Sequence, residues 1–274
     1  MMMNISNIIQ KKHCRVGDKR LVLYTLVIFP SDKNSRVQVF SLSDIHADNA
    51  ACKKWFKENC VRNHDDDVFS VFICAGDISH DVDVIRDTFA HLKAQYDEVC
   101  YVPGNHDLWR RGSALPAGGA GKQSAPCSVT KLNEILQCAL AQGVTVGPLR
   151  IHTNSHGNLY IYPLYAWYHS GWDTEPILSH PLYTSCERLK QQHGATMDAS
   201  WMDFRCCSWQ EIDKQQSHGP PSVFRDDTAV PRAFAELNEK WLPSVRAPPP
   251  DRATGGCHCL FNRHCLCHIC PPSL

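Results

Sequence analysis

Three short strings within the first 107 residues carry side chains able to hold cations and move protons: Asp44-Ile45-His46, Gly76-Asp77 and Gly104-Asn105-His106-Asp107. Each closes an apolar run of strand-like composition. Residues i and i+2 at a strand end point the same way, so Asp44 and His46 are expected to face one ion. Asp77 has two carboxylate oxygens and can bridge two cations, while Gly76 permits a tight turn and a close backbone approach. Asn105 offers an amide oxygen, and His106 and Asp107 set an imidazole beside a carboxylate. Mixed oxygen and imidazole ligands suit Mn, Fe or Zn better than a thiolate-seeking ion. Two such ions about 3.5–4 Å apart clamp the attacking and leaving oxygens of a phosphoryl transfer, which makes a phosphate ester the natural substrate.

The elements that must position these strings follow from periodicity. Arg36–Leu42 alternates and then turns wholly apolar, as a strand does. Residues 50–61 place Cys52, Trp55, Phe56 and Cys60 at helical spacing. Residues 68–75 are β-branched and aromatic, a buried strand; residues 82–96 set Ile85, Phe89, Leu92 and Tyr96 on one helical face; residues 98–102 form a third strand. The β-α-β-α-β order implies an α/β domain with a parallel sheet. Ligands in such sheets gather at the carboxyl ends of the strands, where all three strings fall. Residues 112–126, rich in Gly, Ala, Ser and Pro, read as a surface loop. Residues 129–142 read as a helix stopped near Gly143, with Leu132, Ile135, Leu136, Ala139 and Leu140 on its apolar face. The aromatic run 159–168 suits one or two strands with Pro163 at a break. Residues 170–225 are polar with weak pattern, and residues 231–241 form a helix opening on Pro231 at its first position.

Composition narrows the function. Lys+Arg and Asp+Glu both count 28, so no basic excess draws nucleic acid or an anionic membrane. The apolar run 21–29 follows Lys19-Arg20, the order of a signal peptide. It lies far from the terminus, lacks a small-x-small cleavage site, and is too short to span a bilayer, so it reads as a strand. Fifteen cysteines is a high number. Ten are scattered, often inside apolar runs, and behave as small buried hydrophobes; the compartment reads as reducing and cytoplasmic, without disulfides.

In their order and spacing, D-x-H, G-D and G-N-H-D, the three strings resemble the calcineurin-like metallophosphoesterases. The similarity covers roughly residues 37–110, and the strings YVPGNHDLW and YAWYH extend it. It implies a metallophosphoesterase-like sandwich: two packed β-sheets flanked by helices. It also implies two divalent ions (Mn, Fe or Zn), with Asp44 and His46 on the first, Asp77 bridging, and Asn105 on the second. His106 would protonate the leaving group and Asp107 would orient His106. The substrate would be a phosphorylated small molecule or other phosphoester, either a monoester or a diester.

That family completes its site with a later lone histidine and a G-H-x-H string. Neither is evident here; Ser179-His180 comes too early, and Gly256-Cys257-His258-Cys259 is only superficially similar. The expected organisation is therefore an N-terminal extension (1–35), a metallophosphoesterase-like domain shortened at its C-terminal end (36–245), with its second sheet incomplete, and a Pro-then-Cys/His-rich tail (246–274). Five cysteines and three histidines in the tail could ligate zinc. Their C-x-C spacing is not that of a knuckle, and the tail reads as unstructured. Three functions remain open: metal-dependent hydrolysis of a phosphate ester, a protein of the same fold that binds without turnover, or an interaction module carried by a zinc-binding tail.

Overall fold

The computed structural model describes residues 8–16, 19–28, 36–61, 68–110, 127–153, 157–168, 202–209, 211–212, 228–243, 257–261 and 268–270. Two β-sheets flanked by helices make up an α/β fold. The heart of the first sheet is β3 (Arg36–Leu42), β4 (Val68–Cys74) and β5 (Glu98–Tyr101), all parallel. A hairpin of β1 (Ile8–Val16) and β2 (Lys19–Ile28) extends it antiparallel along the free side of β3. The expected strand at residues 21–29 is thus the β2 strand.

α1 (Ala50–Asn59) and α2 (Val82–Gln95) connect the parallel strands. The Asn49 side chain starts α1 by accepting from the amides of Ala51 and Cys52 at 2.9 and 3.2 Å, and Asp81 starts α2 by accepting from Asp83 N. Such caps are each worth about 0.5–2 kcal/mol. Both helices bury the faces that their periodicity marks, and Cys52, Phe56, Ile85, Phe89 and Leu92 are almost wholly enclosed. Full burial of a large apolar side chain contributes about 1.5–3 kcal/mol.

α3 (Ser128–Ala141) ends at a left-handed Gly143, as expected, but its buried face differs from the expected one. Leu140 is 61% exposed and Lys131 is only 4% exposed, so the inward stripe is Lys131, Leu132, Ile135 and Ala139. The second sheet is small: β6 (Leu149–Thr153) pairs antiparallel with β7 (Gly157–Pro163), which stops at Pro163. Two short strands, β8 (Cys257–Phe261) and β9 (His268–Cys270), extend it; both lie in the segment whose composition reads as unstructured. Ile151, Leu159 and Ile161 join Val71, Ile73 and Tyr101 in one apolar core, so the two sheets share an interior.

α4 (Met202–Cys206) falls in the stretch of weak pattern. α5 (Ala229–Glu239) begins two residues before Pro231. Proline is tolerated there because the first-turn amides have no helical partner. The Asn238 side chain then ties α5 to the main chain of Tyr165, donating to its carbonyl at 2.8 Å and accepting from its amide at 2.9 Å. The expected loop at 112–126, the histidine that closes the YAWYH string (His169) and His180 lie outside the described residues.

Candidate metal centre

Three turns meet at the carboxyl ends of β3, β4 and β5. The strand ladder continues into them: Ala75 N donates to Leu42 O at 2.8 Å, His46 N to Asp77 O at 2.9 Å, Ala47 N to Ile78 O at 2.7 Å, and Val102 N to Cys74 O at 3.2 Å. The glycines are required by contact. A Cβ on Gly104 would sit 2.6 Å from Asp77 N and overlap its carboxylate, and one on Gly76 would sit 2.7 Å from Gly104 Cα. The G-D and G-N turns therefore press backbone on backbone. Gly76 is also left-handed, at φ 77°.

The ligand string departs from the strand-end geometry expected of it. β3 stops at Leu42, and Asp44 and His46 lie beyond it with φ of 57° and 44°. Asp77 has φ 56°. Among the described residues, these three are the non-glycine residues with positive φ. Each such conformation is held against a cost of order 1–3 kcal/mol. The turns, not the pleat of a strand, bring the side chains together. One candidate ligand atom from each of Asp44, His46 and Asp77 falls within 4.8 Å of the others. A second group, equally tight, is His46, Asp48 and His106. His46 belongs to both, so the two groups adjoin.

Asn105 abuts this cluster through its neighbour, since the His106 amide donates to Asp77 Oδ1 at 3.0 Å. Among the described residues, the buried Asn105 Oδ1 has no hydrogen-bond partner. Orphaned buried acceptors of this kind are uncommon in folded proteins and call for a reason. A cation is one, and the donor set of carboxylates, imidazoles and an amide oxygen fits a divalent ion of the Mn, Fe or Zn type.

Asp107 does not hold His106. It is fully buried, and its carboxylate accepts from the amides of Asp77 (2.9 Å), Ile78 (2.7 Å), Ser79 (3.0 Å) and Gly104 (3.0 Å) and from the Tyr101 hydroxyl (2.9 Å). Its work is to pin the G-D turn to the G-N turn from below. Burial pushes its pKa up, and the amides and phenol pull the other way. The carboxylate nearest His106 is Asp48, with Oδ2 3.5 Å from Nε2. Burial lowers the His106 pKa to about 4, helped by His46 and His80, while Asp48 opposes the drop.

Residue-type spacing missed four members of this neighbourhood. Asp48 and His80 extend the first two strings by a few residues, and Asp48 lies 3.8 Å from His80 Nδ1. Lys131 reaches in from α3, donating to His80 O at 2.7 Å and to Trp109 O. Asp203, on α4, sits in a stretch with no sequence signal at all.

The sequence profile of the calcineurin-like phosphoesterases matches residues 38–222. The chain belongs to that family. No curated protein matches it. Among solved structures, this calcineurin-like phosphoesterase is similar to the crystal structure of phosphopantetheinyl hydrolase from Mycobacterium tuberculosis. The TM-score is 0.53 at 16% identity, covering 84% of this chain and 69% of that one, a likeness of fold. Among the described residues, no helix of this phosphoesterase is long and apolar enough to cross a membrane.

Proposed function

We propose that this calcineurin-like phosphoesterase hydrolyses a phosphate ester at a two-cation centre built on Asp44, His46, Asp77 and Asn105. The observation that carries the reading is the conformational one. The left-handed non-glycine backbone among the described residues falls on three of the four side chains that the motifs mark as ligands. Strain of that kind persists where the surrounding structure over-determines it, and it clusters at functional sites.

Divalent cations bound here would polarise phosphoryl oxygens and lower the pKa of an attacking water. The protein supplies the rest. Asp77 belongs to the first ligand group and would bridge the two ions, with one oxygen steadied by the His106 amide. His106 is assigned as the acid for the leaving oxygen, and Asp48, 3.5 Å from its Nε2, is the group that favours its protonated form. Asp107 serves the reaction only through the backbone it fastens. We assign the catalytic unit to residues 36–245, which enclose the matched span. Cys52, Cys60, Cys74, Cys100, Cys127, Cys138, Cys206 and Cys207 are free thiols, six of them buried, which agrees with a reducing, cytoplasmic setting.

A second reading, the same fold binding without turnover, is favoured by one observation: among the described residues, both candidate ligand groups draw on positions 44–106 alone. Purified protein with Mn²⁺, assayed on nitrophenyl phosphomonoesters and diesters and on a phosphopantetheinyl ester, separates the two. Turnover that D77N abolishes together with metal binding, and that H106A slows while metal stays bound, supports the enzyme. Metal binding without turnover on any ester supports the second reading, and equal activity in both variants ends the proposed mechanism.

A further inference from the structure

Asp203 is 2% exposed, on α4, nearly a hundred residues downstream of the motif it touches. Its Oδ1 accepts from Asn105 Nδ2 at 2.6 Å and from the Trp109 indole nitrogen at 2.5 Å. Around this contact α4 is stitched to the G-N-H-D turn and to α3. Arg110 N donates to Cys206 O at 2.8 Å, Ser128 N to Ser208 O at 2.8 Å, and Ser208 N to Ser128 Oγ at 3.0 Å.

An amide side chain can sit either way round. A carboxylate accepts from its NH2 and repels its oxygen, so Asp203 selects one orientation. In that orientation Asn105 Oδ1 points away from Asp203 and, among the described residues, is buried without a hydrogen-bond partner. We infer that Asp203 is a positioning residue for the metal centre: it locks the Asn105 amide so that its oxygen is offered to a cation, while the Trp109 indole shares the same carboxylate oxygen. The inference rests on the proposed role of Asn105 as a ligand. Outer carboxylates that orient metal ligands typically change affinity by about 10–100-fold when removed.

The competing account is that Asp203 merely fastens α4. Mn²⁺ titration of the full chain, followed by electron paramagnetic resonance and calorimetry, distinguishes them without any turnover assay. D203L is expected to weaken one of the bound ions by about 10–100-fold, and to add nothing when N105A is already present. W109F, which removes only the indole contact, should bind as the parent does. D203N should also bind normally, because the indole N–H holds the new amide with its oxygen toward Asn105. The near-isosteric double variant D203N/W109F removes that lock and should lose affinity although each single change does not. Wild-type affinity in both D203L and the double variant would overturn the inference, as would a further loss from D203L on the N105A background. Wild-type protein that binds no Mn²⁺ would overturn the metal reading itself, and the inference with it.

Discussion

Replacing Asp107 by Asn tests whether this residue is an anchor or a partner of His106. The carboxylate accepts two amides at Oδ1, from Ile78 and Ser79, and two amides plus a phenol at Oδ2, from Asp77, Gly104 and Tyr101. An asparagine presents one oxygen and one NH2. Whichever way it sits, two buried backbone N–H groups face its NH2 and lose their acceptor. Each stranded donor costs about 1–3 kcal/mol, so D107N should destabilise the fold by about 2–6 kcal/mol. That is a large part of the roughly 5–15 kcal/mol that holds a domain together. The tyrosine hydroxyl rotates and adds little. Urea unfolding of the metal-free protein, read by tryptophan fluorescence, measures it directly, with H106A as the comparison. A residue whose task is to orient His106 would leave D107N as stable as wild type and reduce only the rate. A D107N midpoint indistinguishable from wild type would refute the anchor assignment.

Two further perturbations bear on the same turns. G104A places a Cβ 2.6 Å from Asp77 N; the strain is expected to cost about 1–3 kcal/mol and to displace Asp77. Mn²⁺ affinity in the same titration should collapse, and normal affinity would show that the two turns are not in contact. Burial lowers the Lys131 pKa from its ordinary 10.5 to about 8. Below pH 8 both folded and unfolded chains carry the proton. Between about 8 and 10.5 only the unfolded chain does, so stability should rise with pH across that window. Wild type should gain on K131M in denaturation midpoint between pH 7 and pH 9.5; a constant gap would show that Lys131 titrates normally.

Local signals accounted for the elements around the site because each obeys a short-range rule. Arg36–Leu42, α1 and α2 carry their own periodicity and their own caps at Asn49 and Asp81. The ligand strings were readable as residue types, but the reason they converge was not. A strand pleat is expected to aim Asp44 and His46, whereas left-handed turns do so; Asp and His enter left-handed backbone more readily than most residues, but the great majority of them do not, so residue type alone does not mark such turns. Asp107 stood beside His106 in sequence yet faces the other way, into backbone amides. Lys131 was hidden because lysine is almost never fully buried, and its partners are carbonyls, which every residue has. Asp203 was hidden because its contact with Asn105 spans distant parts of the chain.

Diffraction from a zinc-loaded crystal, with anomalous signal to locate the ions, puts the central assignment to the sharpest trial. The proposed centre predicts one ion held by Asp44, His46 and Asp77 at about 2.0–2.2 Å and a second against Asp77 and Asn105 Oδ1. A zinc-saturated crystal with no ion at these side chains would contradict it.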